Sequence, residues 1–493
     1  MGDCIGRPRR GGPPHPAGTL RTLVPAAFVL ALAAPTQAED RPVRPHRREL
    51  PANAVVRPGI DTVGYPEVGR RQVMSVVGQV AASSAGSLVS RPLRSSAQVV
   101  ARWGERLGVR GRELSSFLGT ARPADCIGQG GDGGLDGPFG SPPMPARVTL
   151  LPSSESAVTA LLALIGSAGS RVDLMMYGWE DDPTGREVAD ALEAAARRGV
   201  AVRLLVDRAA HVLHNPGAAQ GIPTFLTRLA RVPNVCLILP PDPFLKFDHR
   251  KLAVVDGRVA WSGGMILTEV ARRKWENVAF LAEGPVVEQY GAVFEDRWRE
   301  VGGRPSGPAA PPGSNAMSDP NATIRLVRTD VGERSLKDAV YHAVDHARFS
   351  IYLENPYFSD DLLADKLVAA RKRGVDVRAV LTLRGNVERL NRYVVLTANR
   401  LLRGGVKVYL SPGMTHVKAM SADGVWAYLG TGNFDELSLR NNREVGLSLI
   451  GPEVVGRLDA DVFLTDMARA QELTAPLPLP DRLIELELFK LWF

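Results

Sequence analysis

Two stretches decide the reading of this chain: Asp248-His249-Arg250-Lys251-Leu252-Ala253-Val254-Val255-Asp256-Gly257 and Thr415-His416-Val417-Lys418-Ala419-Met420-Ser421-Ala422-Asp423-Gly424. Both obey H-x-K-x4-D. In extended backbone, residues i and i+2 point the same way, so each histidine shares a face with its lysine. The Asp-Gly that closes each copy suits a turn into a following strand. Six residues then lead to small residues, Gly263-Gly264 in the first copy and Gly430-Thr431-Gly432-Asn433 in the second. A lone H-x-K pair reads as a surface histidine beside a lysine. Two full copies with matched spacing, in a chain of only eight histidines, read as one site built twice.

The surroundings of the motifs repeat as well. Val172–Trp179 reads as a buried strand, followed by a helix that closes at Arg197-Arg198-Gly199-Val200 and a second strand at Val202–Asp207. Ser350–Phe358, a helix closing at Lys372-Arg373-Gly374-Val375, and Val377–Thr382 repeat that plan. In each R-G-V turn the glycine suits a left-handed helix end and the valine starts the next strand. The expected fold class is α/β, with two similar βαβ-rich lobes packed face to face around one interfacial active site. The expected boundaries are a first lobe at 146–304, a Pro/Gly/Ser-rich joint at 305–320, a second lobe at 321–475 and a tail at 476–493. Residues 39–145 form an extension that ends in a glycine-rich linker near Gly128–Gly134.

The N-terminus carries a positive start (Arg7, Arg9, Arg10, Arg21), an apolar run from Leu23 to Ala34, and a small-residue end at Ala38. That pattern predicts a signal peptide at 1–38 and an exported, periplasmic or extracellular protein; an uncleaved anchor is the other reading. A formal net charge of +7 suits an anionic partner, although the basic residues are spread along the chain. Three cysteines, Cys4, Cys126 and Cys236, leave two in a mature exported chain, either as one disulfide or as two inert thiols. No cluster has zinc-ligand spacing, so neither metal nor cofactor is expected.

The chemistry that this residue set suits is phosphodiester processing. Lys251 and Lys418, with polar groups on the turns, can hold nonbridging phosphate oxygens. One imidazole can attack phosphorus, giving a phosphohistidine. The other can protonate the leaving oxygen and later deprotonate an alcohol or water. Histidine serves both roles because it titrates near neutrality. Trp179 and Tyr357, at the ends of the repeated strands, either line the site or pack in the core.

The chain resembles the phospholipase D superfamily, and most closely its cardiolipin-synthase-like bacterial branch. The two H-x-K-x4-D motifs carry the resemblance, together with G-T-G-N-F-D-E-L-S-L-R-N-N-R-E-V (430–445) and Y-L-E-N-P-Y-F (352–358). It covers about Arg147 to Ala475. It implies a nucleophilic and a proton-transferring histidine, assigned here to His249 and His416 in that order. It also implies a carboxylate beyond each motif that hydrogen-bonds a histidine. Glu276 and Glu444 stand at +27 and +28 from their histidines and fit that role. Asp256 and Asp423 belong to the motif and are expected to be structural rather than proton-transferring. Gly263, Gly264, Thr431 and Asn433 are expected at the phosphate. The sequence departs from the family at Ile266, where an asparagine is usual, and at Leu437, where an arginine often precedes the serine.

These features imply a phospholipase D-like phosphodiesterase or phosphatidyltransferase. Its partners would be a phospholipid and an alcohol or water acceptor, with peripheral membrane contact and a monomeric state. An exported nuclease using the same two-histidine chemistry, or a catalytically silent membrane-binding protein, are the competing readings. Nucleic acid is the less favoured partner, since aromatic residues for base stacking make up only 6% of the chain. The tail, Leu483–Phe493, either touches a membrane or packs on the lobes.

Overall fold

Short apolar strands alternate with amphipathic helices from residue 144 onward, and this alternation builds the molecule. The computed structural model describes residues 133–208, 210, 224–240, 246–307, 317 and 319–480. The expected leader at 1–38, most of the extension, Cys126, most of the joint at 305–320 and the tail from 481 lie outside the described residues. Cys236 is disulfide-bonded, and its partner also lies outside them.

In chain order the first lobe comprises β1 (Met144–Leu151), α1 (Ser154–Ser167), β2 (Arg171–Met176), α2 (Pro183–Arg197), β3 (Ala201–Val206), α3 (Thr224–Leu229), β4 (Val235–Ile238), β5 (Leu252–Val255), β6 (Val259–Gly263), α4 (Glu269–Lys274), β7 (Trp275–Glu276), β8 (Ala279–Glu283) and α5 (Val286–Glu300). The second comprises β9 (Ala322–Thr329), α6 (Ser335–His346), β10 (Ser350–Asn355), α7 (Asp361–Lys372), β11 (Asp376–Leu381), α8 (Glu388–Arg403), β12 (Lys407–Leu410), β13 (Met414–Thr415), β14 (Ala419–Ala422), β15 (Trp426–Gly430), α9 (Glu436–Arg440) and β16 (Glu444–Ile450). It closes with α10 (Pro452–Leu458), a π-helical turn (Asp459–Leu464), α11 (Thr465–Arg469) and β17 (Gln471–Glu472).

Caps and turns set these limits. Asp182 caps α2 by accepting from Gly185 N, and Asp360 caps α7 by accepting from Leu363 N. Gly199 and Gly374 adopt φ of 97° and 101° after the two helices, which only glycine adopts cheaply.

The strand orders of the two lobes match: β1-β8-β6-β5-β2-β3-β4 and β9-β16-β15-β14-β10-β11-β12. The lobes join edge to edge through antiparallel β1 and β9, with Met144 opposite Ile324 and Ala146 opposite Ala322. One continuous 15-stranded array results. Each lobe keeps its own apolar cluster. A third is shared, combining Phe280, Phe294 and Trp298 of the first lobe with Val417, Leu447 and Phe463 of the second. The expected face-to-face packing is therefore accompanied by a continuous sheet edge, which the strand pattern alone did not show.

The two motif aspartates act at the far end of this frame. Asp256 and Asp423 sit in left-handed turns, with φ of 52° and 54°. Asp256 accepts main-chain N–H bonds from Gly169, Ser170 and Arg171, and Asp423 accepts them from Arg348, Phe349 and Ser350. Extended chain between them places each about 20 Å from its histidine. Neither carboxylate reaches the histidine of its own motif. Removing three charge-assisted bonds from a partly solvated turn costs on the order of 2 kcal/mol. Asp423→Ala should therefore lower resistance to urea unfolding by about that amount while turnover per folded molecule stays within roughly threefold; a much larger loss of turnover would place Asp423 in the chemistry.

Candidate active site

The H-x-K segments lie just before regular strands rather than on them, since β5 begins at Leu252 and β14 at Ala419. Their main chains bond to the opposite lobe instead. His249 N donates to Arg443 O (3.0 Å), and His416 N donates to Glu276 O (2.7 Å). Each motif is thus held by the segment that follows the other motif. The interval from His249 to His416 also separates the other equivalent positions: Asp248 bridges Arg443 as Thr415 pairs with Glu276. Asp435 caps α9 where Thr268 caps α4.

This crossing brings both His-Lys pairs to one buried centre. The Lys251 ammonium donates to His249 O and stands 4.7 Å from the Tyr177 ring centroid. The Lys418 ammonium donates to His416 O at 3.0 Å. Both lysines are fully buried, while His249 is 8% exposed and His416 6%. The Tyr177 ring meets His249 edge-on at 4.5 Å, and Trp275 lies against His416 at 5.1 Å.

Four basic groups crowd together here. Burial lowers Lys251 to about 7, against the opposing pull of Glu444, Asp207 and Asp248. Burial first, then Lys251, pushes Lys418 well below its ordinary value. Burial, then Lys418, Lys251 and His249, hold His416 well below the usual imidazole range, although the Gly264 main chain opposes this. A depression of that size for Lys251 corresponds to on the order of 5 kcal/mol of unmet charge. The arrangement suits a tetrahedral anion, whose oxygens would relieve the repulsion.

His249 has a carboxylate partner. Its Nδ1 lies 2.8 and 3.0 Å from the two oxygens of Glu444, which comes from the other lobe. Thr431 Oγ1 and Ser438 Oγ donate to the same carboxylate at 2.5 and 2.6 Å. Burial raises Glu444 to about 7, against the lowering effects of Lys251, Ser438 and Thr431. Thr431 therefore orients a carboxylate, in place of the expected phosphate contact.

Glu276 corrects the other half of that expectation. Its carboxylate is about half exposed and faces Arg469 at 3.8 Å; only its main-chain carbonyl meets His416. Arg443, its counterpart in the repeat, pairs with Glu300 at 2.6 Å. The two residues make ion pairs of opposite sense. The true counterpart of Glu444 is Asn277, one residue on, and the unequal spacings of +27 and +28 in the sequence were the available sign.

The remaining candidates divide. Gly264 abuts the His416 main chain, since a side-chain carbon there would fall 2.6 Å from His416 O. Gly263 has φ 151° and is pressed against Ala279, a structural role. Asn433 is buried with its Oδ1 unpaired. It lies beside Asp435, whose carboxyl is raised by burial to about 7. Asn355 Oδ1 accepts from Phe434 N and so fixes that turn. Tyr357 is buried and bonds Asn386 through its hydroxyl. Trp179 does not line the site: it is fully buried in the first-lobe core, against Phe225, and donates to Gly185 O. Sequence reasoning missed Tyr177, Trp275, Asn277 and Asp435. Tyr177 lies within a quoted strand, but nothing in the pattern distinguishes an aromatic at the site from one in the core.

An anion that favours charged Lys251 and His416 must take up protons on binding, so its affinity rises as pH falls through about 7. Ionisation of Glu444 above about 7 weakens anion binding further, with the same sign. Sulfate, whose charge is constant over this range, should raise the melting temperature more at pH 6 than at pH 8.5. Lys251→Met should shrink that difference in thermal-shift measurements, leaving the part that His416 and Glu444 carry.

Comparison with known proteins agrees with this geometry. The family described as cardiolipin synthase, phospholipase D-like domain, matches residues 161–298 and 340–463. Cardiolipin synthase A of Yersinia pseudotuberculosis is 30% identical over 352 residues, which cover 66% of this chain and 68% of that protein. Cardiolipin synthase A of Erwinia tasmaniensis is 30% identical over 350 residues with the same coverage. The crystal structure of phosphatidylserine synthase from Haemophilus influenzae shares the fold, with a TM-score of 0.54 at 16% identity over 71% of this chain and 94% of that one. The chain belongs to the phospholipase D superfamily, in its cardiolipin-synthase-like branch.

Proposed function

We propose that this protein is a phosphatidyltransferase of the cardiolipin-synthase type that moves a phosphatidyl group from a phospholipid to an alcohol, with water as a competing acceptor. The observation that carries this reading is the His249–Glu444 bond across the lobe boundary, set beside two buried lysines. With Nδ1 donating to Glu444, the in-plane lone pair of His249 lies on Nε2, the nitrogen that attacks phosphorus.

In the first step that lone pair forms an N–P bond. The P–O bond to the departing alcohol breaks, and its oxygen takes the Nε2 proton of His416. Lys251 and Lys418 hold the nonbridging oxygens while charge develops on them. Glu444 stabilises the phosphorylated imidazole, which keeps its Nδ1 proton. In the second step the acceptor hydroxyl gives its proton to His416, and its oxygen forms the new P–O bond. The N–P electron pair returns to His249. Because His416 is a weak base in this surrounding, it is a strong acid towards an alkoxide once the bound phosphate has let it charge.

The names of the relatives, cardiolipin synthase A and phosphatidylserine synthase, support a lipid donor. Among the described residues no helix is long and apolar enough to cross a membrane. The leader-like sequence at 1–38 adds to the reading an exported chain that meets lipid at a membrane surface, and the presence of both motifs in one chain adds a monomer. The test is turnover by the purified full chain on vesicles of labelled phosphatidylglycerol, with single-stranded DNA as the competing substrate. His249→Ala and His416→Ala should each lower transfer by on the order of 10³-fold or more. An alkaline quench of the parent during turnover, with the label on the phosphatidyl group, should leave label on His249, and none should appear in the His249 variant. Turnover within tenfold of the parent in both variants, or cleavage of the DNA but not the lipid, overturns this reading.

A further inference from the structure

The constant interval between the two halves of the repeat allows the histidine environments to be compared position by position. Glu444, with the two hydroxyls that hold it, Thr431 and Ser438, serves His249. The corresponding positions near His416 are Asn277, Gly264 and Ala271. All three changes point the same way: the carboxylate has become an amide, and both donors that a carboxylate requires have gone. Losing the donors alone would leave a buried charge unmet, and losing the charge alone would leave two hydroxyls without an acceptor.

Asn277 is nevertheless built into place. It is 1% exposed, and its Nδ2 donates to Ser154 Oγ at 3.1 Å, which aims Oδ1 the other way. A side-chain carbon on Gly264 would lie 2.6 Å from His416 O, 3.0 Å from Asn277 Oδ1 and 3.6 Å from Lys418 Nζ, so these groups converge. Asn277 Oδ1 and His416 Nδ1 are both buried and both unpaired. Asparagine is one methylene shorter than glutamate, about 1.5 Å, which accounts for the contact being open here and closed at Glu444.

We propose that Asn277 is the positioning residue of His416, a neutral amide that orients the ring and stabilises its cation far less than a carboxylate would, and that it thereby makes the two histidines chemically unlike. A hydrogen bond from His416 Nδ1–H to Asn277 Oδ1 completes the pair when the ring carries its proton for the leaving oxygen. His416 then remains a ready proton donor, while the carboxylate-backed His249 alone supports a covalent phosphoryl group. This rests on the function proposed above. The charged groups that face His416 are Lys418, Lys251 and His249. Glu444 and Asp435 face Lys418 from their own side. Behind Thr415 lie Glu354 with Asp466, and Glu276 with Arg469.

The test uses the full chain labelled with ¹⁵N-histidine. Asn277→Asp, which adds an opposite charge within a few ångströms, should raise the titration midpoint of His416 by roughly 1 to 3 pH units. The limb of the pH–rate profile on phosphatidylglycerol vesicles that reports this group should shift by the same amount. Asn277→Gln, which restores the length of Glu444 without charge, should keep turnover and leave the midpoint in place. Asn277→Leu should lower kcat by roughly 10- to 100-fold with little change in KM. An unmoved His416 midpoint in a folded Asn277→Asp variant overturns the assignment. That readout needs no turnover, so it is separable from failure of the proposed activity, which the histidine variants report.

Discussion

A buried contact across the lobe boundary organises this molecule. Glu444 belongs to the second lobe and His249 to the first, yet they share a hydrogen bond of 2.8 Å. Main-chain bonds from His249 to Arg443 and from His416 to Glu276 tie each motif to the other lobe. Separating the lobes would therefore dismantle both histidine environments together. The frame must also bear the cost of two buried lysines beside two histidines. Unmet charge of on the order of 5 kcal/mol at one lysine compares with the burial of two or three large apolar side chains. The shared core around Phe280, Phe294, Trp298 and Phe463 joins the two lobes that carry these groups.

Backbone symmetry and side-chain symmetry have parted in this chain. The strand order, the left-handed aspartate turns, the helix caps and the crossed main-chain bonds all repeat. The side chains set on that frame do not. Arg443 with Glu300 answers Glu276 with Arg469, with the charges exchanged. In the first lobe burial would raise Asp248, but Arg250, Arg297 and Arg443 outweigh it and hold the carboxyl below the usual carboxylate range. In the second lobe Thr415 stands at that position beside Glu354, an acid that burial pushes well upward. A duplicated scaffold requires only its hydrogen bonds and volumes to be kept, so polar residues on either side can diverge as long as their partners diverge with them.

The H-x-K-x4-D pair and the two R-G-V turns were legible because they report local demands. Alternation along an extended chain, a left-handed glycine after a helix and an aspartate that caps a turn are each decided within a few residues. The orienting carboxylate was half legible. Spacing from the motif identifies Glu444, whereas at the other motif it points to Glu276 although the register falls on Asn277. Which of two adjacent residues faces inward depends on a strand pairing made with the distant lobe. Trp179 illustrates the same limit, since an aromatic at a strand end faces core or cleft according to the helix that covers it.

The amino-acid sequence by itself determined the α/β class, the duplication and the residue types that can act on a phosphodiester, because periodicity and repeated spacing are properties of the chain. Only the tertiary structure decided that Glu444 bonds the opposite lobe's histidine, that Asn277 stands in the matching place at His416, and that the motif aspartates bond turns remote from the histidines. Contacts between residues so distant along the chain depend on how the sheet edges meet, and no local pattern encodes that.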